Sequence, residues 1–177
     1  KFNNVIERVF YDPVHDQLIA NSKFVNHVGN LSVRGVASWD GIKWDSLAGG
    51  INTHDKVLNP TNLSGLLLAG IPYNGVLLAG GSFVSIGDVN TTGIALWNGT
   101  RWDSLPKRAF RYGKYVTVSG FLEKNNEVYI HGDFDTIAGQ KTHGLAKWDG
   151  VNFHPCLLPI GTIFQGLTCI AEYQNEI

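Results

Sequence analysis

The chain has 177 residues, of which 44% are hydrophobic and only 16% are charged, and its formal net charge is −1. So balanced a charge argues against electrostatic binding of nucleic acid, which requires a basic face. The sequence contains no apolar run of about 18 residues, the length that predicts a membrane-spanning helix. Because it also contains no Met, we expect the chain to be a mature, cut or partial product.

Short apolar segments separated by turn residues follow one another along the chain. None of them shows the sustained 3.6-residue apolar spacing of a helix, so each segment predicts a strand. The 21 glycines, many with Asn beside them, favour tight hairpins between these strands. The sequence therefore predicts an all-β fold. The leading segments of the three successive units are 5–10 and 18–20, then 66–69 and 76–79, then 115–121 and 128–130.

The second half of each unit carries a repeated motif, Gly-x-Ala-x-Trp-Asp/Asn-Gly followed by a second aromatic residue. It covers residues 35–44, 93–102 and 144–153. A shorter patch that begins with Phe and reaches a Gly lies upstream each time. Residues that recur in every unit are typical of structural anchors. The predicted anchors are Phe24, Trp39, Asp40, Gly41, Trp44, Phe83, Trp97, Asn98, Gly99, Trp102, Phe134, Trp148, Asp149, Gly150 and Phe153.

The Asp-Gly and Asn-Gly pairs predict hairpin turns, because both residue types tolerate positive φ. A four-residue loop would place Trp39 opposite Trp44, and a two-residue loop would place Trp39 opposite Ile42. The sequence leaves both open. In either case a large aromatic side chain lies beside each hairpin and buries roughly 150–250 Å².

Four antiparallel strands repeated at a period near 50 residues are typical of a β-propeller blade. The pattern Gly80-Gly81-Ser82-Phe83, Ile86-Gly87 and Gly93-x-Ala-x-Trp-Asn-Gly99 resembles the kelch-like repeats of the galactose-oxidase propeller superfamily. It is most similar to the variant in secreted bacterial proteins that carry a type IX secretion sorting domain, and a similar repeat occurs in fungal cortical polarity-marker proteins. The resemblance implies a propeller and a place outside the cell or on its surface.

On this interpretation the chain is one partial propeller, with three four-stranded blades at about 5–47, 65–105 and 115–157. Residues 166–177 would begin a further blade, with a strand at 166–172. Propellers close with four to eight blades, so we expect the remaining blades to come from chain beyond these residues. Association of two copies into one ring is the alternative.

The search for catalytic chemistry finds little. His131, Asp133 and Asp135 alternate and could form a metal or acid–base cluster, but a polar strand end is the favoured interpretation, and no cofactor is expected. The copper site with Tyr and His ligands and a Tyr–Cys crosslink, which the resemblance would imply, has no matching motif here. Cys156 and Cys169 could form a disulfide or remain two buried thiols. Asn-x-Ser/Thr triplets occur at Asn30, Asn62, Asn90 and Asn98.

The connection between the second and third units carries the one local basic stretch. Lys107, Arg108, Arg111 and Tyr112 are the candidate partner-binding residues there, with Phe110, Lys114 and Tyr115 nearby. A solvated loop with aromatic residues tucked inward is the alternative.

These observations predict a non-catalytic module, extracellular or on the cell surface, that serves adhesion or binds a partner protein or a glycan. A passenger of a secretion system is a further role consistent with the resemblance, and the secretion machinery is then one candidate partner. Two alternatives remain. One is a propeller enzyme, a hydrolase or oxidase, whose site lies in other blades. The other is a structural spacer.

Overall fold

The computed structural model describes residues 1–52, 65–105, 116–156, 166–174 and 177, together with the backbone of 109–110. These residues form strands, turns and bends, and none of them lies in a helix. It follows that the described part of the chain holds no helix that is long and apolar enough to cross a membrane.

The strands of the described residues are short, as the spacing of the turn residues predicts. In chain order they are β1 (Arg8–Asp12), β2 (Gln17–Asn21), β3 (His27–Val28), β4 (Leu31–Ser32), β5 (Val36–Trp39), β6 (Trp44–Asp45), β7 (Ile51–Asn52), β8 (Leu66–Tyr73), β9 (Val76–Ser82), β10 (Ser85–Ile86), β11 (Val89–Asn90), β12 (Ile94–Trp97), β13 (Trp102–Asp103), β14 (Ala109–Phe110), β15 (Thr117–Lys124), β16 (Glu127–Asp133), β17 (Thr136–Ile137), β18 (Gln140–Lys141), β19 (Leu145–Trp148) and β20 (Phe153–Pro155).

Three four-stranded antiparallel sheets contain the longer strands, and each follows the chain in a simple meander. Sheet 1 has the order β1-β2-β5-β6, sheet 2 the order β8-β9-β12-β13, and sheet 3 the order β15-β16-β19-β20. In each unit, a small hairpin made of two two-residue strands lies in the connection between the second and third strands of the sheet. The predicted all-β fold with four-stranded antiparallel sheets is confirmed.

The aromatic hairpins have four-residue loops, which settles the register that the sequence leaves open. Trp39 pairs with Trp44 and Trp97 with Trp102, while Trp148 pairs with Phe153. The two Trp–Trp pairs adopt almost the same geometry, with ring centroids 5.3 Å and 5.0 Å apart. The repeat in sequence is therefore also a repeat in side-chain packing.

Hydrophobic side chains fill the space between consecutive sheets. One cluster joins Ile19 and Val36 of sheet 1 to Leu77 and Trp97 of sheet 2. A second cluster joins the opposite face of sheet 2 to one face of sheet 3 through Leu78, Ile94, Val128, Ile130 and Trp148. The first strands also meet, since the Phe10 ring of β1 lies against Gly70 of β8. The sheets are stacked in chain order, each with its first strand beside that of the next.

Small sheets tie each unit to the one before it. β7, which follows sheet 1, pairs with the β10–β11 hairpin inserted in sheet 2. β14, which follows sheet 2, pairs in the same way with the β17–β18 hairpin of sheet 3. Phe2 forms a single bridge to Val28 of the β3–β4 hairpin in sheet 1. Phe2, Ile51 and Ala109 therefore occupy equivalent positions.

A β-bulge distinguishes sheets 2 and 3 from sheet 1. The pairing of β8 with β9 shifts between Leu67 and Ala69, and the pairing of β15 with β16 shifts between Val118 and Gly120. A Cβ atom on Gly81 would overlap the carbonyl oxygen of Leu66. Glycine is required there because the bulge brings the two backbones together. The described pairing of β1 with β2 has no such shift.

Two details of the sequence interpretation need correction. Phe24 does not occupy the position of Phe83 and Phe134, because sheet 1 holds one extra residue there. Val25 accepts the equivalent backbone bond from Gly35 and is 1% exposed, whereas Phe24 is 50% exposed. Residues 166–172, expected to form a strand, are not in one. In the described part of the chain, the backbone hydrogen bond that links them to sheet 3 is donated by Leu167 N to Gly132 O, at 3.2 Å. A single hydrogen bond does not form a β-ladder.

Candidate interaction surface

The turn of each aromatic hairpin is held by one oxygen of the Asp or Asn that opens it. Asp40 Oδ1 accepts hydrogen bonds from the N–H groups of Ile42 and Lys43, both at 2.8 Å. Asn98 Oδ1 and Asp149 Oδ1 accept the equivalent pairs of bonds. A Gly at φ +94° or +95° follows each of the three. These recurring polar side chains hold the backbone turn.

Hydrogen bonding also lowers the pKa of the carboxylates that open two of these turns. The N–H of Lys43, followed by that of Ile42, lowers the pKa of Asp40. The N–H of Asn152, the His154 imidazole and the N–H of Val151 hold the pKa of Asp149 well below its usual range. Both carboxylates stay ionised and bonded at neutral pH.

The first hairpin of sheet 1 carries a buried carboxylate. Asp12 is 0% exposed. Its Oδ2 accepts bonds from His15 Nδ1 at 2.7 Å and Gln17 Nε2 at 2.9 Å, and its Oδ1 accepts one from Val14 N at 3.0 Å. Because three donors hold it, Asp12 fixes both the loop and the orientation of the His15 ring.

His15 is directed onto the next sheet. Its ring lies edge-on to Trp97 with centroids 6.5 Å apart, and it covers Gly99 so closely that a Cβ there would be 2.6 Å from the ring. An Asp–His pair can act in acid–base chemistry. Here the pair attaches one sheet to the aromatic hairpin of the next.

Tyr73 does the same between sheets 2 and 3. It ends β8, and its ring lies 4.8 Å from that of Trp148. A Cβ on Gly150 would be 2.7 Å from the Tyr73 hydroxyl oxygen. At both junctions, then, a side chain from the first hairpin of one sheet covers the Trp and the Gly of the following sheet.

The corresponding surface of sheet 1 is exposed. Gly41 has open space where Gly99 and Gly150 are covered, and Trp39 is half-buried. A straight row of side chains, Tyr11, Leu18, Trp39 and Trp44, crosses the four strands. We call these four residues the aromatic row. Tyr11 is 53% exposed and Leu18 42% exposed.

The predicted partner-binding residues Lys107, Arg108, Arg111 and Tyr112 lie outside the described residues, so the basic stretch remains a prediction. Phe110 belongs to β14 by its backbone.

His131, Asp133 and Asp135 do not form a metal centre. No group of three or more His, Cys, Asp or Glu side chains among the described residues could hold a metal ion. His131 is 5% exposed, its Nδ1 lies 3.2 Å from the Leu167 carbonyl oxygen, and burial lowers its pKa. This histidine is part of the packing of sheet 3 against residues 166–174.

The two cysteines are free thiols in the structure. Cys156 is half-buried, and that burial raises the pKa of its thiol. Among the Asn-x-Ser/Thr positions, Asn30, Asn90 and Asn98 are exposed, and Asn62 lies outside the described residues.

Sequence reasoning missed the residues that join the sheets. Asp12, which orients His15, and Tyr73 each end the first strand of their sheet, but they are of unlike types. A search for repeated letters cannot find such a position. The available signal was location, since each stands immediately before the turn that joins two apolar segments.

Comparison with known proteins does not assign the chain to a family. No family model matches the chain, and no curated protein matches it.

Proposed function

We propose that this protein is a non-catalytic binding module, one segment of a β-propeller that lies outside the cell or on its surface and binds a partner protein or a glycan. The observation that carries the proposal is the use of the recurring polar side chains. Asp40, Asn98 and Asp149 each bond backbone N–H groups of their own turn, so the repeat is organised to hold a scaffold.

The stacking of the sheets supports the propeller part of the proposal. Three successive four-stranded meanders lie face to face, with the first strands of neighbours in contact. Blades of a propeller are arranged around their axis in this manner. Location outside the cell rests on the resemblance to secreted repeat proteins, among them type IX secretion passengers, and the low charged fraction of 16% agrees with a surface that binds through aromatic and polar groups.

The basic connection between sheets 2 and 3 is the proposed contact for the partner. Connections carry binding residues more often than the strands that support them. Lys107, Arg108, Arg111 and Tyr112 combine cationic groups with an aromatic ring, a composition that suits acidic proteins and acidic glycans.

A binding screen tests this proposal. The chain is immobilised and exposed to a glycan array and a panel of cell-surface proteins, and hydrolase and oxidase substrates are assayed in parallel. We expect at least one saturable ligand and no turnover. Replacing Lys107, Arg108 and Arg111 by Ala should abolish binding without changing the melting temperature.

The matched control replaces Lys23 and Lys43 by Ala, since both are exposed on the described surface. Binding should survive that change. Turnover that depends on this chain would contradict the proposal and favour a propeller enzyme. Absence of any ligand would favour a structural spacer.

A further inference from the structure

The aromatic row on sheet 1 has a counterpart in each of the other two sheets. In sheet 2 the row is Pro72, Leu77, Trp97 and Trp102, and in sheet 3 it is Glu123, Val128, Trp148 and Phe153. The three rows occupy the same register positions on equivalent strands. Their differences in exposure therefore reflect what lies on top of them.

In sheets 2 and 3 the preceding sheet covers the second, third and fourth residues of the row, while the first residue, Pro72 or Glu123, is exposed. Leu77 and Val128 are 0% exposed, and Trp97 and Trp148 are each 4% exposed. The cover consists of apolar side chains from the sheet before and one ring from its first hairpin, His15 at the first junction and Tyr73 at the second. Both interfaces within this chain have the same composition.

Sheet 1 presents the same kind of surface with Leu18 and Trp39 uncovered, although the Phe2 ring packs edge-on against Trp44, with centroids 4.7 Å apart. Leu18, which is equivalent to Leu77 and Val128, is 42% exposed, and Val9 beside it is 59% exposed. The space above Gly41, where a hairpin ring lies at both other junctions, is open. Exposed apolar side chains grouped in this way mark an interaction surface.

We propose that the exposed face of sheet 1, defined by Val9 and the aromatic row, binds a further four-stranded sheet of the same repeat. An aromatic or histidine side chain from the first hairpin of that sheet packs on Trp39 and Gly41. The argument is continuity with the two existing interfaces, which already show the geometry and the chemistry of the occupant. The inference deepens the proposed function by naming one partner of the module, and it rests on the propeller part of that proposal.

The register of the chain allows a direct test. Phe2 pairs with Val28 in the first unit, in the same way that Ile51 pairs with Ile86 in the second unit and Ala109 pairs with Ile137 in the third. A second copy of residues 65–107 placed directly before Lys1 therefore keeps the spacing of the natural repeat. In this extended chain the added copy of Tyr73 would lie on Trp39, as Tyr73 lies on Trp148 in the structure.

Hydroxyl-radical footprinting read by mass spectrometry measures the result at each residue. In the original chain, Trp39, Tyr11 and Leu18 should be oxidised several-fold faster than Trp97 and Leu77. In the extended chain the oxidation rate of Trp39 should fall to that of Trp97. The substitution Leu18→Lys in the extended chain should restore fast oxidation at Trp39, while Lys43→Glu, an exposed charge change in the same hairpin, should leave the protection in place.

Three results would overturn the inference. Trp39 could remain fully reactive in the extended chain, or the added repeat could stay sensitive to protease, which would show that it has not docked. The original chain could also protect Trp39 while doubling its mass in light scattering, in which case a second copy is the occupant. Since the footprint requires no ligand, failure of the glycan and protein screen and failure of this inference are separate results.

Discussion

Sheets 1 and 2 share a strand order, a Trp–Trp pair and a capped turn, yet they differ in three ways that go together. Sheet 2 has a bulge in its first strand pair, a glycine opposite that bulge and a row in which Leu77, Trp97 and Trp102 are buried. Sheet 1 has an unshifted first strand pair, Ser22 at the position of Gly81, and an exposed row. The sequence repeat therefore accounts for the strand order and the capped turn that the two sheets share, whereas the burial of the row depends on whether another sheet lies on it.

The largest expected effect comes from the glycine at the bulge. Gly81→Ala would force a Cβ atom against the Leu66 carbonyl oxygen. The backbone of Leu66 can move away only by disrupting the pairing of β8 with β9. We expect the substitution to lower the free energy of unfolding by about 3–5 kcal/mol. Urea denaturation followed by Trp fluorescence measures this change.

Ser22→Ala is the matched control, because this position of sheet 1 already accommodates a Cβ atom. It removes only the bond from Phe24 N to Ser22 Oγ, at 3.2 Å, so the expected loss is about 1 kcal/mol. Equal losses for the two variants would contradict the difference between the sheets.

A middle-sized effect separates the covered row from the exposed one. Leu77→Ala empties a fully buried position between sheets 1 and 2 and should lower the free energy of unfolding by about 2–5 kcal/mol. Leu18→Ala changes the equivalent residue on the exposed face and should cost about 1 kcal/mol or less. The same urea titration compares them, and a large loss for Leu18→Ala would show that something covers this face in solution.

The smallest expected effect concerns pH and distinguishes sheets 1 and 3 from sheet 2. The folded-state pKa values of Asp40 and Asp149 are lowered, so both turns contribute stability above the unfolded-state value of about 3.9. That contribution is lost as pH falls below this value. The turn of sheet 2 opens with Asn98, which does not titrate.

The double variant Asp40→Asn and Asp149→Asn should therefore flatten the fall in melting temperature between about pH 4 and pH 2. Asn98 shows that an amide oxygen accepts the same two backbone bonds, so the variant should fold normally at pH 7. A pH profile identical to that of the original chain would refute this role of the two carboxylates.

The all-β fold and the four-strand unit could be predicted from the sequence because they follow from apolar spacing and turn residues. The loop length could not, since Trp39 opposite Trp44 and Trp39 opposite Ile42 satisfy the same local rules. The extra residue of sheet 1 near Phe24 could not be predicted either, because the sequence has a Phe close to the position where the other two units have one. Only packing shows that Val25 is the buried one.

The junction residues were beyond prediction for another reason. His15 and Tyr73 contact side chains about eighty residues further on, such as Trp97 and Trp148, and they occupy hairpins of different length. Local propensity contains nothing about such contacts, because they depend on how one sheet lies on the next.

The two-residue strand β7 has a mechanical consequence. Ile51 donates its N–H to the Arg34 carbonyl oxygen at 2.7 Å, within the first unit, and Ile51 also pairs with Ile86 in the second. One short segment is thus bonded to both neighbours at once. Because these bonds join both units, they resist rotation of sheet 1 away from sheet 2.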